Sequence, residues 1–470
     1  MTELKIKAPN TYLIIFSILV LMAVLTWIVP PGQYERDSSQ KKNPVIPGTF
    51  AYIEGGAGAS GQGPGAVFTA PIKGFVAVAN IIGFVLIVGG AFSVLQRTRA
   101  IDAGFNAVVQ AHAKSPLLRA LLIPIIMTLF SLGGATFGMS EEVIPFVLIF
   151  IPLFLSLGYD SITAVAVPYV GAHIGFAAAF LNPFTVGIAQ GLSGLPLFSG
   201  LGVRVGIWGL FTVTAIFFVW RYSHKIMRAP EKSPMFAEDK VRREKLLQEE
   251  QDAAEHMTRR HKMVLVAFLL GMVVLVWGVL RFGWYIEEIA ALFLALGVLV
   301  AVVARLSADE TTAAFIDGAR DLVGTAIIIG LARGILIIAQ DGQIIDTMLH
   351  FFSSLIGDWP AVFSAQAMVL VQTAINFFVP SGSGQAALTM PIMAPLSDLL
   401  GVTRQTAVLA YQFGDGFSNM IYPTAPVLLG TLSLAKIPWN KWALWILPLQ
   451  LILLTMAMAV IATLVLMHWQ

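Results

Sequence analysis

Long apolar runs, each ended by a short polar or glycine-rich stretch, follow one another along almost the whole chain. Several reach the length of about 18 mainly apolar residues that a helix needs to cross a bilayer. In the first half the pattern predicts apolar segments at about 12–29, 76–95, 117–132, 143–157, 161–172, 183–192 and 205–219. In the second half it predicts them at about 263–280, 285–304, 322–339, 361–400 and 405–434, before a last span that ends at His468. The pattern therefore predicts an all-α polytopic membrane protein.

Four interruptions break these apolar segments at membrane depth. The second half carries Pro-Ser-Gly-Ser-Gly at 380–384 and Gly-Asp-Gly-Phe-Ser-Asn at 414–419. The first half carries a polar stretch at 133–142 and a break that holds His173, Asn182 and Pro183. Irregular backbone at this depth is tolerated only where it is buried in protein or lines a polar cavity. We predict two re-entrant hairpins, with tips at the first and third of these stretches, and two broken helices; two full spans are the alternative for the first hairpin.

The two halves share prolines, glycines and serines at a constant offset of 243 positions. Chance is the alternative explanation, because Leu, Ala, Val and Gly are abundant here, but we interpret the match as a duplicated unit. The span count places the two copies in opposite orientations, which is the inverted-repeat plan of many secondary carriers. The matched pairs include Ser140 with Ser383, Pro152 with Pro395, Gly171 with Gly414 and Pro183 with Pro426.

The predicted organisation has five parts. Residues 1–75 form the first span and an extracytoplasmic loop, 76–221 the first repeat unit and 222–262 a charged linker. Residues 263–321 form two connecting spans and an amphipathic segment, and 322–470 the second repeat unit. Lysines and arginines concentrate on the side that holds the N-terminus and the linker. The positive-inside rule therefore places both in the cytoplasm, with the protein in the cell (inner or plasma) membrane.

Composition supports this class and excludes others. The 470 residues are 57% hydrophobic and 12% charged, whereas about 25% of the residues of soluble proteins are charged. The absence of cysteine excludes disulfides, thiolate metal ligands and cysteine nucleophiles. The net charge of +2, without a basic stripe interleaved with aromatic residues, gives no indication of nucleic-acid binding. Seven histidines without a paired ligand motif give no support for a metal site, and no cofactor is predicted.

The Ser-Gly run at the second hairpin tip suits an anion. Unpaired N–H groups at the start of a helix and the helix dipole both favour a carboxylate. Glycine also allows a ligand to approach the backbone closely. A tight turn without a ligand is the alternative. The candidate residues are Ser381, Gly382, Ser383 and Gly384.

Three carboxylates lie at the interruptions: Glu141 and Glu142 at the first tip, and Asp415 in the second broken helix. A charge at the bilayer centre costs about 2.5–3.5 kcal/mol on insertion scales, so intramembrane charges are usually functional. These groups could bind Na⁺ or a cationic part of the substrate, or they could carry protons. Alternatively, one of them pairs with Arg333 inside its apolar span.

Three further polar residues lie beside the interruptions. His173 is a candidate proton site or ligand contact, or else an interior histidine with satisfied hydrogen bonds. Asn182 and Asn419 suit capping or ligand contact. If Na⁺ binds at the tips and breaks, its candidate oxygen ligands belong to Ser140, Asn182, Ser383 and Asn419.

Four segments carry a resemblance to a known family: FGMSEEVIPF at 137–146, LNPFTVGIAQG at 181–191, SGSGQAALTMPIMAPLSDL at 381–399 and QFGDGFSN at 412–419. With them the chain resembles the YfcC-like branch of the DcuC (C4-dicarboxylate anaerobic carrier) family, within the ion-transporter superfamily of elevator carriers. The resemblance covers nearly the whole chain. It implies secondary transport, two opposed hairpins, a scaffold domain and a homodimer. The family name implies dicarboxylate cargo, whereas the role proposed for the YfcC branch implies basic amino acids.

The sequence therefore predicts an elevator-type secondary active transporter of a small carboxylate-bearing solute, not an enzyme. Ser-Gly amides at one tip and carboxylates elsewhere favour a solute with both a carboxylate and a cationic group, hence an amino acid, with a basic one as the specific hypothesis. If the carboxylates serve a coupling Na⁺ or H⁺ instead, a C4-dicarboxylate fits equally well. A channel would need a continuous polar pathway, and a membrane enzyme would need a nucleophile–base pair or metal ligands. The predicted partners are the solute, the lipid bilayer and a second copy of the chain.

Overall fold

The computed structural model describes residues 11–36, 46, 48–101, 103–104, 114–252, 257–282, 284, 286–354 and 359–469. This part of the chain is helical apart from its loops and one antiparallel pair of two-residue strands, β1 (Gly32–Gln33) and β2 (Ala51–Tyr52). Residues 1–10 lie outside the described ranges, so the predicted side of the N-terminus stays a prediction.

Helices account for both halves of the chain. The first half contains α1 (Thr11–Ile28), α2 (Pro64–Ala77), α3 (Ala79–Arg97), α4 (Pro116–Phe137), α5 (Val143–Ser156), α6 (Ser161–Ala177), α7 (Ile188–Leu192), α8 (Leu201–Arg228) and α9 (Phe236–Asp252). The second half contains α10 (Arg259–Phe282), α11 (Ile286–Ala304), α12 (Ala308–Asp321), α13 (Val323–Asp341), α14 (Ile345–Ser354), α15 (Ala361–Phe378), α16 (Gly382–Leu399), α17 (Arg404–Ser418), α18 (Pro426–Leu434) and α19 (Trp439–Leu466).

Six helices in the described ranges are long and apolar enough to cross a bilayer: α3, α4, α8, α11, α15 and α19. Helices α12 and α13 meet the same criterion as a pair bent by 41°. At a rise of about 1.5 Å per residue, helices of this length match a hydrocarbon core of about 30 Å. The predicted all-α, multi-pass membrane architecture is confirmed.

The helices pack in two groups. In the first, α2 packs on α13, α3 packs on α11 and α12, and α1 packs on α13. In the second, α4 and α5 pack on α6 while α15 and α16 pack on α17, and α6 contacts α17. Helix α8 packs on α4 and α6, and α19 packs on α15 and α17. Helix α18 contacts α5, and we count it with the second group. The groups meet where α13 contacts α18 and α15 and where α3 contacts α5.

Glycines bring α4 and α6 into backbone contact. A Cβ atom on Gly175 of α6 would lie 1.8 Å from the carbonyl oxygen of Ser131 in α4. One on Gly134 of α4 would lie 2.0 Å from the carbonyl oxygen of Ala172 in α6. Small residues allow helices in a membrane to approach this closely and gain dispersion contacts. The close contact buries α6 along nearly its whole length.

The irregular segments lie slightly C-terminal to their predicted positions. Helix α6 continues through His173, so the first irregular segment is 178–182. Helix α17 continues to Ser418, so the second is 419–425. The prediction of a break at 414–419 is wrong, because its glycines serve helix packing: a Cβ on Gly416 would lie 2.4 Å from Cα of Ala177 in α6.

The connections at the two predicted hairpin tips, called tips below, are shorter than predicted. Helix α4 extends to Phe137, which leaves 138–142 as the connection to α5. The second connection is 379–381, and Gly382, Ser383 and Gly384 form the first turn of α16. Both tips therefore place a helix N-terminus next to a short irregular segment.

Helix α2 lies partly in the segment that the sequence assigned to a loop. It begins at Pro64, and the predicted boundary between 75 and 76 falls inside it. Proline suits the first helical position because its missing N–H would have no helical acceptor there. The glycine-rich run before Pro64 hid this start, since Gly is unfavourable inside a helix.

The charged linker between the halves contains helix α9, which is docked on the rest of the protein. Asp239 is buried and accepts a hydrogen bond from the backbone N–H of Ser161, 2.8 Å away. Arg243 donates to the carbonyl oxygen of Tyr159 over 2.6 Å. On the other side, Lys441 pairs with Glu238 at 2.7 Å. These contacts connect α9 to the start of α6 and to the start of α19.

Candidate functional site

Both hairpin tips face one cavity of about 400 Å³ beside α13. A cavity of this size suits a small ligand. The first tip contributes Ser140 and Glu141 to its wall, and the second contributes Ser381, Gly382 and Ser383. The other predicted site residues on the wall are His173 and Asn419.

The two glutamates of the first tip have different surroundings. The carboxylate of Glu142 turns back to the chain, and its Oε2 accepts a hydrogen bond from the N–H of Ser140 at 2.9 Å. Glu142 is buried and does not line the cavity. Glu141 lines it. Gly138 allows the sharp turn that presents them, because its φ of 80° lies in the left-handed region.

The second tip presents backbone amides. Ser381 caps α16, and its Oγ accepts a hydrogen bond from the N–H of Gly384 at 3.4 Å. The amides of Gly382 and Ser383, at the first two positions of α16, have no acceptor in the described part of the chain. Tyr411 of α17 donates to the carbonyl oxygen of Gly382 at 2.6 Å and so holds the tip. Gly384 faces the neighbouring cavity described below.

The polar residues of the irregular segments divide between the cavity wall and structural roles. His173 is buried, its Nδ1 lies 3.0 Å from the carbonyl oxygen of Tyr169, and its ring packs on the Tyr169 ring at 4.0 Å. Asn182 caps the turn that follows it, its Oδ1 accepting from the N–H of Phe184 at 2.9 Å, and it does not line the cavity. The Oδ1 of Asn419 accepts a hydrogen bond from Nδ2 of Asn376 at 2.8 Å.

Asp415 lies behind the second tip and does not line the cavity. It is 1% exposed, and neither carboxylate oxygen makes a hydrogen bond of normal geometry within the described ranges, although the side chain of Asn419 lies close enough to stabilise its charged form. A Cβ on Gly382 would lie 3.2 Å from Oδ2 of Asp415 and 2.8 Å from Cγ2 of Thr185. The hydroxyl of Thr185 is also buried without a partner in the described ranges. A carboxylate and a hydroxyl oxygen, both able to meet a small cation, thus lie beside the tip.

Arg333 is the cavity residue whose role the sequence interpretation missed. It lies near the middle of α13 and lines the cavity. From the sequence, one alternative was that Arg333 pairs with a carboxylate at one of the interruptions. Arg333 makes no ion pair or hydrogen bond with any residue that the structure describes. Its Nε is buried without a partner in these ranges. An arginine alone in an apolar span was the available signal.

A second cavity of about 590 Å³ adjoins the first. Arg333, Leu336 and Ser381 line both. The wall of the second cavity also holds an ion pair in which Arg36 contacts both oxygens of Asp346, at 2.8 and 3.0 Å.

The family profile described as "C4-dicarboxylate anaerobic carrier" (DcuC) matches residues 8–466. The chain is 37% identical to "Putative basic amino acid antiporter YfcC" of Escherichia coli (strain K12), covering 92% of each chain, and 29% identical to an uncharacterized protein of Haemophilus influenzae (strain Rd), covering 94% of each. A solved structure of the Alcanivorax borkumensis YdaH transporter aligns over 98% of this chain and 99% of that one, with 16% identity and a TM-score of 0.43. The family match and the Escherichia coli relative place this chain in the C4-dicarboxylate anaerobic carrier family of membrane transporters.

Proposed function

We propose that the protein is a secondary active transporter whose cargo carries both a carboxylate and a cationic group, hence an amino acid and in particular a basic one. The observation that carries the proposal is that the two hairpin tips face one cavity with opposite chemistry. Glu141 suits a cationic group, and the free amides of Gly382 and Ser383 suit a carboxylate. The Escherichia coli relative's name points to the same cargo and to exchange.

A C4-dicarboxylate is the second candidate cargo, and the family name favours it. Arg333 and the amides of the second tip would match its two carboxylates. Glu141 on the same wall weighs against it, since a like charge in a site of low dielectric is repulsive. Membership of a transporter family supports a carrier over a membrane enzyme, and the position of both tips on the wall of one cavity supports a carrier over a channel.

The helix bounds support the proposal of a duplicated unit. Helix α2 begins and ends 244 positions before α12 (64 to 308, 77 to 321), and α3 stands in the same relation to α13 (79 to 323, 97 to 341). The packing partners also correspond. Helix α4 packs on α6 and α8, and its counterpart α15 packs on α17 and α19. Helix α5 contacts α18, and its counterpart α16 contacts α7. We propose that the two units are inverted, with re-entrant hairpins α4–α5 and α15–α16.

The same arrangement supports an elevator mechanism. In it, the second group of helices, which holds both tips, would carry the cargo past the first group, which holds α13. We further propose a homodimer in the cell (inner or plasma) membrane with a cytoplasmic linker. The positive-inside count and the family resemblance support these points.

We propose that transport is coupled to Na⁺ or H⁺ at Asp415. A buried carboxylate that makes no hydrogen bond of normal geometry in the described ranges would be compensated by a bound cation or neutralised by a proton. The unpartnered Oγ1 of Thr185 lies at the same glycine of the tip and suits Na⁺ as a further oxygen ligand. For the alternative set of Na⁺ ligands, Ser140, Ser383 and Asn419 line the cavity and Asn182 does not.

Counterflow in proteoliposomes tests the proposed function. Labelled arginine and labelled succinate are each offered to vesicles with and without the same unlabelled compound inside. We expect arginine to accumulate faster when unlabelled arginine is trapped, and to be recovered unchanged. Succinate counterflow alone would replace the amino-acid cargo by the dicarboxylate. Absence of counterflow for both would contradict both candidates.

A further inference from the structure

We infer that Arg333 is a carboxylate-binding residue placed at the junction between the two cavities, where it selects solutes that carry a carboxylate. The inference deepens the proposed function and rests on it in one respect, that a solute enters these cavities. It holds for either candidate cargo, because an amino acid and a dicarboxylate both carry the group that Arg333 would recognise.

The first step is that Arg333 has no structural partner among the described residues. It lies in the middle of an apolar helix, and its Nε is buried without a hydrogen bond. Of the three candidate carboxylates, Glu142 accepts a hydrogen bond from the Ser140 amide, and Asp415 lies behind Gly382 outside the cavity wall. Glu141 lines the same cavity as Arg333, but the two form no ion pair among the described residues. The side chain as a whole is half-buried, and apart from Nε its guanidinium faces the cavities. A charged group in a membrane-spanning helix is costly and usually functional, so a ligand in these cavities is the expected partner.

The contrast with other arginines supports this step. Arg36, on the wall of the second cavity, already contacts both carboxylate oxygens of Asp346. Arg204, fully buried in α8, donates to the side-chain oxygens of Gln405 and Gln412. Arg333 is different from both, since its guanidinium meets open cavity instead of an acceptor.

The second step concerns position. Arg333 lines both cavities, and so does Ser381 at the second tip. A solute that moves from the second cavity, beside Arg36, to the first, beside Glu141, passes between Arg333 and this tip. The planar guanidinium offers two parallel N–H donors that match a carboxylate, and the tip offers Ser381 beside the free amides of α16. Arg333 and Ser381 thus line both cavities, and the free amides lie on the wall of the first, so a carboxylate meets donors along this passage.

Ligand pairs that differ only in the carboxylate test the inference. Binding to purified protein is measured by thermal stabilisation for arginine against argininamide and for succinate against its diamide succinamide, at a pH that keeps the ammonium groups protonated. In the wild type we expect the carboxylate member of at least one pair to bind about tenfold tighter or more, the effect of a charge-assisted hydrogen bond. In Arg333→Gln we expect that ratio to fall to about one, with binding of the amide member retained as proof of folding.

Two variants serve as controls. Arg333→Lys keeps the positive charge but loses the two parallel N–H donors of the guanidinium. Its ratio of carboxylate to amide binding should therefore lie between those of the wild type and Arg333→Gln. Arg36→Gln removes the paired guanidinium of the second cavity and should leave the wild-type ratio. The inference is wrong if Arg333→Gln keeps the wild-type ratio, if Arg36→Gln lowers it equally, or if the wild type prefers neither carboxylate. The two proposals can fail separately. If the wild type prefers the carboxylate ligands but neither arginine nor succinate shows counterflow, the proposed transport is contradicted and the carboxylate site at Arg333 stands.

Discussion

The two adjacent glutamates at the first hairpin tip, Glu141 and Glu142, have different structural roles. Glu141 lines the cavity, whereas Glu142 holds the turn through its hydrogen bond to the Ser140 amide. The sequence predicted both as candidates and had no means to separate them, because the direction of each side chain depends on the turn at Gly138. The same limit applies to Arg333: its solitary charge was visible in the sequence, but the absence of a partner is a property of the packed helices.

We predict that Glu141→Gln lowers arginine counterflow by about 30-fold or more, because losing one member of a buried charge pair costs about 2–5 kcal/mol. Glu142→Gln should have a much smaller effect, since the carboxamide oxygen can still accept the hydrogen bond from Ser140. Initial rates in proteoliposomes with matched protein content measure both. Equal losses in the two variants, or normal transport in Glu141→Gln, would contradict the assignment of Glu141 to the cargo site.

Asp415→Asn should abolish net uptake driven by a Na⁺ or pH gradient, because an amide neither titrates nor compensates a cation. The fold should survive, since the hydrogen bond from Asn376 goes to the backbone oxygen of Asp415 and not to its side chain. Uptake is measured with and without each imposed gradient, and the melting temperature of the purified variant serves as the check on folding. Gradient-driven uptake at the wild-type rate would rule out Asp415 as the coupling site.

At the scale of helices, the sequence predicted where apolar segments lie better than where they are interrupted. The hydrophobic runs predicted most spans to within a few residues, because hydrophobic length is set by the bilayer. Glycine misled the prediction in two ways. At 414–416 it signalled a break, whereas it allows α17 to contact α6 and α15. The glycine-rich run before Pro64 predicted a loop that extended past this residue, whereas helix α2 begins at Pro64.

The close packing at Gly416 predicts that a larger residue there destabilises the protein, and Gly206 provides a matched control. In Gly416→Ala the new Cβ would lie 2.4 Å from Cα of Ala177, so α17 and α6 must move apart; overpacking typically costs about 1–3 kcal/mol. Gly206→Ala in α8 introduces the same methyl group where no atom of the described residues lies within 4 Å, and Ala favours a helix by about 1 kcal/mol. We expect a lower melting temperature for the first and an equal or higher one for the second. Equal melting temperatures would show that close packing of α17 on α6 is unimportant.

At the scale of the whole molecule, the candidate site is divided between the two groups of helices. Both tips and the irregular segments belong to the second group, whereas Arg333, Ala332 and Leu336 on α13 belong to the first. This division could not be predicted from the sequence, since α13 is an ordinary apolar span apart from its arginine. A site shared in this way changes its composition if one group slides past the other: the cargo keeps Glu141 and the Ser-Gly amides but leaves Arg333. Relative motion would then both move the solute and weaken its binding.

Fixing the two groups together tests this motion, and the absence of cysteine from the chain makes the experiment direct. Ala332 on α13 and Val427 on α18 both line the cavity, and their helices are in contact. In the double variant Ala332→Cys, Val427→Cys, a short thiol-reactive cross-linker should leave ligand binding measurable but stop counterflow, and a reductant that cleaves the cross-link should restore it. Each single variant treated with the same reagent controls for modification alone. Counterflow at the untreated rate in fully cross-linked protein would show that cargo crosses the membrane without displacement of α18 along α13, and would exclude the elevator mechanism.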